Sequence, residues 1–368
     1  MPRALAILLI LVTACGATGQ EKRPNTLTPQ EIAEGWILLF DGETTFGWKS
    51  DGDPVSVKDG FLRIGGKERT RVWFTTLLRE YVLEYQIRAY RRDAKMSLPG
   101  RITWYTNDGD IAGGRHHVVK KKNPLFPGMT DETPNNTWEV EAGALLELNN
   151  VKLLPQGMQP LFNGKDLADW HIFPGEKYKS QFAVVDGAIH VTNGPGDLQT
   201  DGKYGDFVLQ LECKSNGERL NSGLFFRCRE GEYQNGYEAQ VSNWFLPEPK
   251  EYTVEEYDPQ THKLLGKKKV ASRAGDYGTG AIYRRVPARK QESKDGEWFT
   301  MTVVAQGNHF ATWVNGVQQV DWYDNRPPSD NARTGCRREP GHLSIQGHDP
   351  TTDLSFRNLR LAELPAAK

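Results

Sequence analysis

The run Tyr237-Glu238-Ala239-Gln240-Val241-Ser242 alternates apolar and polar side chains with the period of a β-strand. Tyr237, Ala239 and Val241 therefore share one face, and Glu238, Gln240 and Ser242 share the other. A polar face along a sheet strand predicts a concave cleft, with Glu238 as the first candidate for a general base. The ordinary alternative is a solvated sheet face or an internal salt bridge. Arg227 closes the strand-like Leu224-Phe225-Phe226-Arg227 and could either polarise a carbonyl oxygen or pair with Glu238. His348, in Gln346-Gly347-His348-Asp349, carries an imidazole that could act as acid, base or metal ligand. Asp349 and Asp353 could help it hold a cation, so a divalent metal stays open and no other cofactor is predicted. No glycine-rich phosphate cradle or nucleophile elbow is present, which argues against nucleotide use and seryl catalysis.

The elements that must position these groups are strands. From Trp36 onward the hydrophobic period is mostly two, as in Tyr81–Ile87, Phe207–Glu212 and Trp298–Val304. Phe310–Val314, Asn315-Gly316 and Val317–Trp322 predict a tight hairpin, because Asn-Gly tolerates the positive φ angles of a type I′ turn. Tyr252–Glu256 and Lys267–Ala271, joined through Asp258-Pro259, predict a longer hairpin arm. One short helix is expected at Thr28-Pro29-Gln30-Glu31, with Thr28 as N-cap, Pro29 in the first turn and Gly35 as terminator. Many short strands with Gly and Pro punctuation argue for all-β sandwiches or jelly rolls.

A phrase occurs twice. Leu39-Phe40-Asp41-Gly42 runs on to Trp48, and Leu161-Phe162-Asn163-Gly164 runs on to Trp170 at the same spacing. Three further echoes follow in order: Asp59-Gly60 with Asp186-Gly187, Tyr81–Glu84 with Phe207–Gln210, and Leu148–Leu153 with Phe356–Leu361. One β-rich module used twice is expected, a shortened copy at 35–155 and a full copy at 159–363, after a linker with a short helix at 21–34. The first copy is expected to lack counterparts of the Tyr237-Glu238 strand and the Asn315-Gly316 hairpin, with 107–136 a long loop.

Residues 1–20 read as an export leader. Arg3 precedes an apolar run, Ala4–Val12, too short to span a bilayer, and Val12-Thr13-Ala14-Cys15 is similar to a bacterial lipobox that would acylate Cys15. Ordinary cleavage near Ala17-Thr18-Gly19 is the alternative. The protein is thus expected outside the cytoplasm, periplasmic or at the cell surface, touching membrane only through a lipid. Net charge is -1 over 368 residues, so no global field favours nucleic acid. The triple-lysine runs at 120–122 and 267–269 are expected to be solvated loop charge. Arg115-His116-His117 is read as surface, since adjacent strand histidines point to opposite sides. Cys213 and Cys228 could pair across a hairpin or remain buried thiols.

The second copy resembles the 3-keto-disaccharide hydrolase domain family. The carriers are Leu161–Leu167 with Trp170, Tyr204–Phe207, Asn221–Arg227, Gly236–Val241, Thr279–Tyr283, Trp313–Gly316 and Gly341–His348. The resemblance implies a concanavalin A-like jelly roll, hence two such domains in tandem, and cleavage of glycosides whose C3 hydroxyl has been oxidised to a ketone. A C3 ketone acidifies the proton at C2, whose loss can expel the C1 substituent, after which water adds. In that chemistry Glu238 is the first choice for the base, Arg227 could polarise the C3 oxygen or pair with Glu238, and His348 could serve as acid, base or metal ligand. Asn221, Gln240, Tyr283 and Gln346 would recognise hydroxyls, and Trp244 and Tyr233 would stack on the sugar. An upstream sugar 3-oxidase would be needed as partner. A non-catalytic, lectin-like glycan binder is the competing reading, and an adaptor module the third.

Overall fold

The computed structural model describes residues 23–76, 78, 80–90, 95–98, 102–105, 116–118 and 137–366, with the strands at 95–98, 102–105 and 116–118 described as backbone alone. Nearly all regular structure is antiparallel β. The helix Pro29–Glu34 is capped as its sequence requires: Thr28 and Glu31 form a reciprocal capping box, and Gly35 closes it in the left-handed region at φ 94°. Among the described residues no helix is long and apolar enough to cross a membrane.

The strands form two sandwiches. In the second, a seven-strand path runs Gln181–Val185, Ala188–Thr192, Asp353–Glu363, Phe207–Ser215, Phe299–Gln306, His309–Val314, Val317–Tyr323. Facing it is a five-stranded sheet in the order Trp170–Ile172, Gly196–Thr200, His342–Gly347, Ser222–Cys228, Tyr237–Val241. Between them lies a core of Leu198, Leu209, Leu211, Phe226, Met301, Phe310, Ile345 and Phe356, all essentially buried. The first sandwich repeats this strand order. Ser56–Lys58, Phe61–Gly65, Leu145–Pro155, Tyr81–Tyr90 and His116–Val118 form one sheet, and Trp48–Asp51, Thr70–Phe74, Thr137–Val140, Lys95–Leu98 and Ile102–Tyr105 the other.

The repeated phrase has a common physical cause. Asp41 accepts the backbone N–H groups of Glu43 and Thr44, and Asn163 accepts those of Lys165 and Asp166, so both make Asx turns. Trp48 then donates its indole N–H to the Leu39 carbonyl, as Trp170 does to that of Leu161. Asn150 and Asn358 both take positive φ, at 50° and 53°, on matching strands that carry or face a register shift.

Several expectations need correction. The first sandwich does not lack the middle strands: Ile102–Tyr105 occupies the position of Tyr237–Val241, and His116–Val118 lies within the segment expected to be loop. The second hairpin of the back sheet, His309–Val314 with Val317–Tyr323, has no counterpart among the described residues. Cys213 and Cys228 are buried free thiols on different sheets, so no hairpin disulfide joins them. Lys267, Lys268 and Lys269 sit on a strand rather than a loop, in the arm Phe245–Tyr257 with Leu264–Ala274, within 4.0 Å of Glu255, Glu256 and Glu251. Cys15, the leader, Arg115 and Lys120–Lys122 lie outside the described residues.

The sandwiches pack directly on one another. Val208, Val304, Ala311 and Trp313, on the outer face of the back sheet, join the first sandwich's apolar cluster. The Trp313 indole donates to the Leu38 carbonyl at 2.9 Å, and Arg289 meets Asp41 at 2.9 Å. Burial would raise the Asp41 pKa, but the Thr44 and Glu43 amides and Arg289 outweigh it and hold the carboxyl well below its usual range. That ion pair separates the two copies of the phrase: the first carries Asp41 at the interface, and the second the neutral Asn163 at an exposed turn.

Candidate active site

The five-stranded sheet of the second sandwich turns one face to the core and the other to a polar cavity. Leu198, Leu224, Ala239 and Ile345 take the core side. On the other side Asp197 faces Gln346 across one strand pair, Gly223 faces Gln240 across another, and Phe225 faces Glu238. These side chains are buried because loops cover them. Tyr233-Gln234, Tyr283-Arg284-Arg285 and Ala332-Arg333 close the walls of a cavity of about 390 Å³, which Glu238, Asn221, Gln346 and His348 also line. That volume suits a small, polar ligand.

Glu238 is the centre of the electrostatics. It is 9% exposed, and its carboxylate makes no hydrogen bond or ion pair to any described residue. Burial is the main cause that pushes its pKa up to about 8; the charges of Asp276 and Asp197 add to the rise, and Arg333 and Arg284 oppose it. Gly223 makes the room. A methyl group there would overlap Glu238 Oε1 and sit 2.8 Å from its Cγ, so only glycine leaves the carboxylate in place. Asp197, fully buried, is pushed up to about 7, again mainly by burial, against a 3.1 Å hydrogen bond from Gln234 Nε2.

The expected residues divide clearly. Glu238, His348, Asn221, Tyr233, Tyr283 and Gln346 all line the one cavity. His348 stands at its exposed rim, its Nδ1 2.7 Å from Asp349. Gln240 is fully buried on the same polar face and donates to Asp276. Trp244 lies outside the cavity, 38% exposed, with Arg219 over its ring. Arg227 is the main correction. A register shift between Phe225 and Cys228, with Arg227 at φ 52°, is a bulge that breaks the alternation and turns its side chain away from Glu238. The guanidinium is completely buried, paired with Asp206 at 2.7 Å and bonded to the carbonyls of Gly205, Gly307 and Arg337. Its role is to tie loops together, and neither expected role applies.

Sequence reasoning missed the cations that do reach the cavity: Arg284, Arg285 and Arg333. Arg284 and Arg285 follow directly on Tyr283, a nominated residue, and that adjacency was the available signal. Asp197 and Asp276 were also missed, since neither lies in an alternating polar run. Asp353 is taken by His190 and Asn216, so it does not stand with His348. Among the described residues no three His, Cys, Asp or Glu side chains converge as a metal site.

A model of the 3-keto-alpha-glucoside-1,2-lyase-like domain matches residues 157–362, more than half of the chain. The chain belongs to that family. The match stops short of the first sandwich, whose likeness to the second is one of strand order. Membership places the protein among carbohydrate-active, glycosyl-hydrolase-like proteins. Solved structures with similarity include a protein provisionally named a glycosyl hydrolase from Parabacteroides distasonis ATCC 8503, at 25% identity over 57% of this chain and 95% of that one, TM-score 0.41. A second from the same organism has 20% identity over 57% and 100%, TM-score 0.40. The carbohydrate-binding module CBM66 of Bacillus subtilis has 13% identity over 52% and 94%, TM-score 0.33. No curated protein matches the chain.

Proposed function

We propose that the protein cleaves 3-keto glycosides by proton abstraction at C2, elimination across C1–C2 and hydration. The observation that carries this reading is the Glu238 carboxyl: buried, without a partner among the described residues, in a polar cavity, its pKa pushed up to about 8 by burial. A base of that strength takes a carbon-bound proton more readily than an ordinary carboxylate does. Glu238 removes the C2 proton. The electron pair moves into the C3 carbonyl, where Arg284 or Arg333 meets the developing oxyanion, in place of the Arg227 first expected. Collapse of the enolate forms the C1–C2 double bond and breaks the C1–oxygen bond, and His348 protonates the leaving oxygen. Water then adds at C1, giving its proton back to His348, and Glu238 returns its proton to C2. No oxocarbenium ion arises, so a second carboxylate at glycosidase spacing is not needed.

Such a substrate bears a ketone where its parent bears a C3 hydroxyl, so an oxidase acting at C3 must supply it. Export by the leader, with a lipid on Cys15, would place the reaction outside the cytoplasm. The test is turnover of methyl 3-keto-α-glucoside beside its unoxidised parent, with and without a chelator. Cleavage of the keto form alone is expected, and the chelator arm reports any metal requirement. Binding without cleavage would hand the site to the glycan-binding reading.

A further inference from the structure

Asp276 lies beside Glu238 on the short turn Gly275–Tyr277, which no sequence motif marked. Its backbone is in the left-handed region, at φ 42° and ψ 48°, and Tyr277 follows at φ 66°. Two consecutive non-glycine residues there are uncommon. The turn is tied down on several sides. The Gly275 N–H donates to the Trp244 carbonyl at 2.7 Å, the Tyr277 N–H to the Tyr252 hydroxyl at 3.1 Å, and the Thr279 N–H to the Ser242 carbonyl at 3.0 Å. The outcome of this bracing is the placement of one carboxylate oxygen. Asp276 Oδ2 receives Asn221 Nδ2 at 2.7 Å and Gln240 Nε2 at 3.1 Å.

A carboxylate oxygen only accepts, so it fixes which end of each amide it holds. Both NH₂ groups are turned to Asp276. Both carbonyl oxygens, Asn221 Oδ1 and Gln240 Oε1, are left buried without a partner among the described residues, as is Gln346 Oε1. Asn221 and Gln346 line the cavity, so their orphaned oxygens are costly unless a ligand or water meets them, and Gln240 lies fully buried behind them. On the other wall Gln234 Nε2 donates both to Asp197 at 3.1 Å and to the Tyr233 hydroxyl at 2.9 Å. Tyr233 thus accepts from Gln234 and keeps its own proton to give.

We infer that Asp276 is a specificity-determining positioning residue, which locks the cavity-lining Asn221 amide as an acceptor, with Gln240 braced behind it, and so makes the site select sugars that present free hydroxyl donors. The inference rests on the proposed reading of the cavity as a keto-sugar site. The opposite wall, with Tyr233, Arg284 and Arg333, offers donors and suits the ketone. Asp276 itself need not touch the sugar. A site built to bond a hydroxyl rejects an analogue lacking it far more strongly than an apolar pocket rejects a missing methylene.

The test is calorimetric binding of methyl 3-keto-α-glucoside and its 2-deoxy, 4-deoxy and 6-deoxy analogues to the full chain, wild type against Asp276→Gly. Glycine keeps the left-handed backbone available and removes the carboxylate. Wild type is expected to reject at least one deoxy analogue by about tenfold or more, and the variant by less than about threefold. A purely structural role would weaken all four ligands alike and leave the ratio unchanged, which would overturn the inference. So would a wild type indifferent to every deletion. A second readout is the pH profile of turnover: losing the Asp276 charge is expected to move its rising limb to lower pH. Should Asp276→Gly not fold, Asp276→Asn carries the same comparison, with the same expected direction. Selective binding without turnover would sink the enzymatic reading and leave the role of Asp276 standing, so the two failures are distinguishable.

Discussion

The two sandwiches present topologically equivalent five-stranded sheets, yet their polar faces hold charge in opposite ways. In the first, Asp51, Arg71 and Glu139 form a cross-strand row, with Arg71 paired to Asp51 and Arg69 to Glu139. These groups are exposed, or half-buried in the case of Glu139, and such pairs contribute little. In the second, Asp197 and Glu238 are buried by the loops at 233–234, 283–285 and 332–333, and Glu238 has no partner among the described residues. The difference lies in what covers the sheet rather than in the sheet. Loops that remove water convert a carboxylate row from a solvated surface into a proton-transfer site.

The strongest way to break this contrast is to neutralise one carboxylate on each face. Glu238→Gln is expected to lower kcat for a 3-keto glucoside by at least about 10³-fold, with binding retained. Glu139→Gln, on the equivalent sheet of the first sandwich, is expected to leave kcat within about twofold. Steady-state kinetics on both variants checks the pair. Full turnover by Glu238→Gln would remove the proposed base, and a comparable loss in Glu139→Gln would show that the exposed face takes part.

A subtler break leaves Glu238 in the sequence and moves it. Gly223→Ala would drive a methyl group into Glu238 Oε1. Misplacing a catalytic group by about 1 Å can cost on the order of 10²-fold, so a loss of about 10–100-fold in kcat is expected, with a smaller change in KM. Unchanged kinetics would mean that the carboxylate has freedom its close packing does not suggest.

Much of this contrast was legible in the residues, and the illegible part has a definite cause. Alternation placed Glu238 and Gln240 on a polar face, because a regular strand fixes side-chain direction. The same rule failed at Arg227, where one bulge residue at φ 52° reverses direction without any signature in Leu224–Arg227. The repeated Leu-Phe-Asx-Gly…Trp phrase was readable because an Asx turn and an indole bond are local. Asp276 and Arg333 were not readable, since each reaches Glu238 only through loops whose course depends on tertiary packing. Strands Ile102–Tyr105 and His116–Val118 escaped notice for a related reason: each is short and bounded by polar sequence.

The smallest expected effect concerns stability. In the folded chain Glu238 holds its proton up to about pH 8, against an ordinary value of 4.5. Between those values the folded state binds the proton more tightly than the unfolded state. Stability from this group is therefore full below about pH 4.5 and is lost as pH rises through 8. Glu238→Gln cannot ionise and escapes that loss. Its melting temperature should match wild type near pH 5 and exceed it near pH 9, by a margin on the order of 5 °C. Glu139→Gln, on the exposed face, should show no such divergence. Thermal melts across that range would read the cost of keeping a carboxylate dry and unpaired. A Glu238→Gln curve parallel to wild type would mean that water reaches the carboxyl after all, and the contrast between the two sheets would then rest on loop shape without the electrostatics.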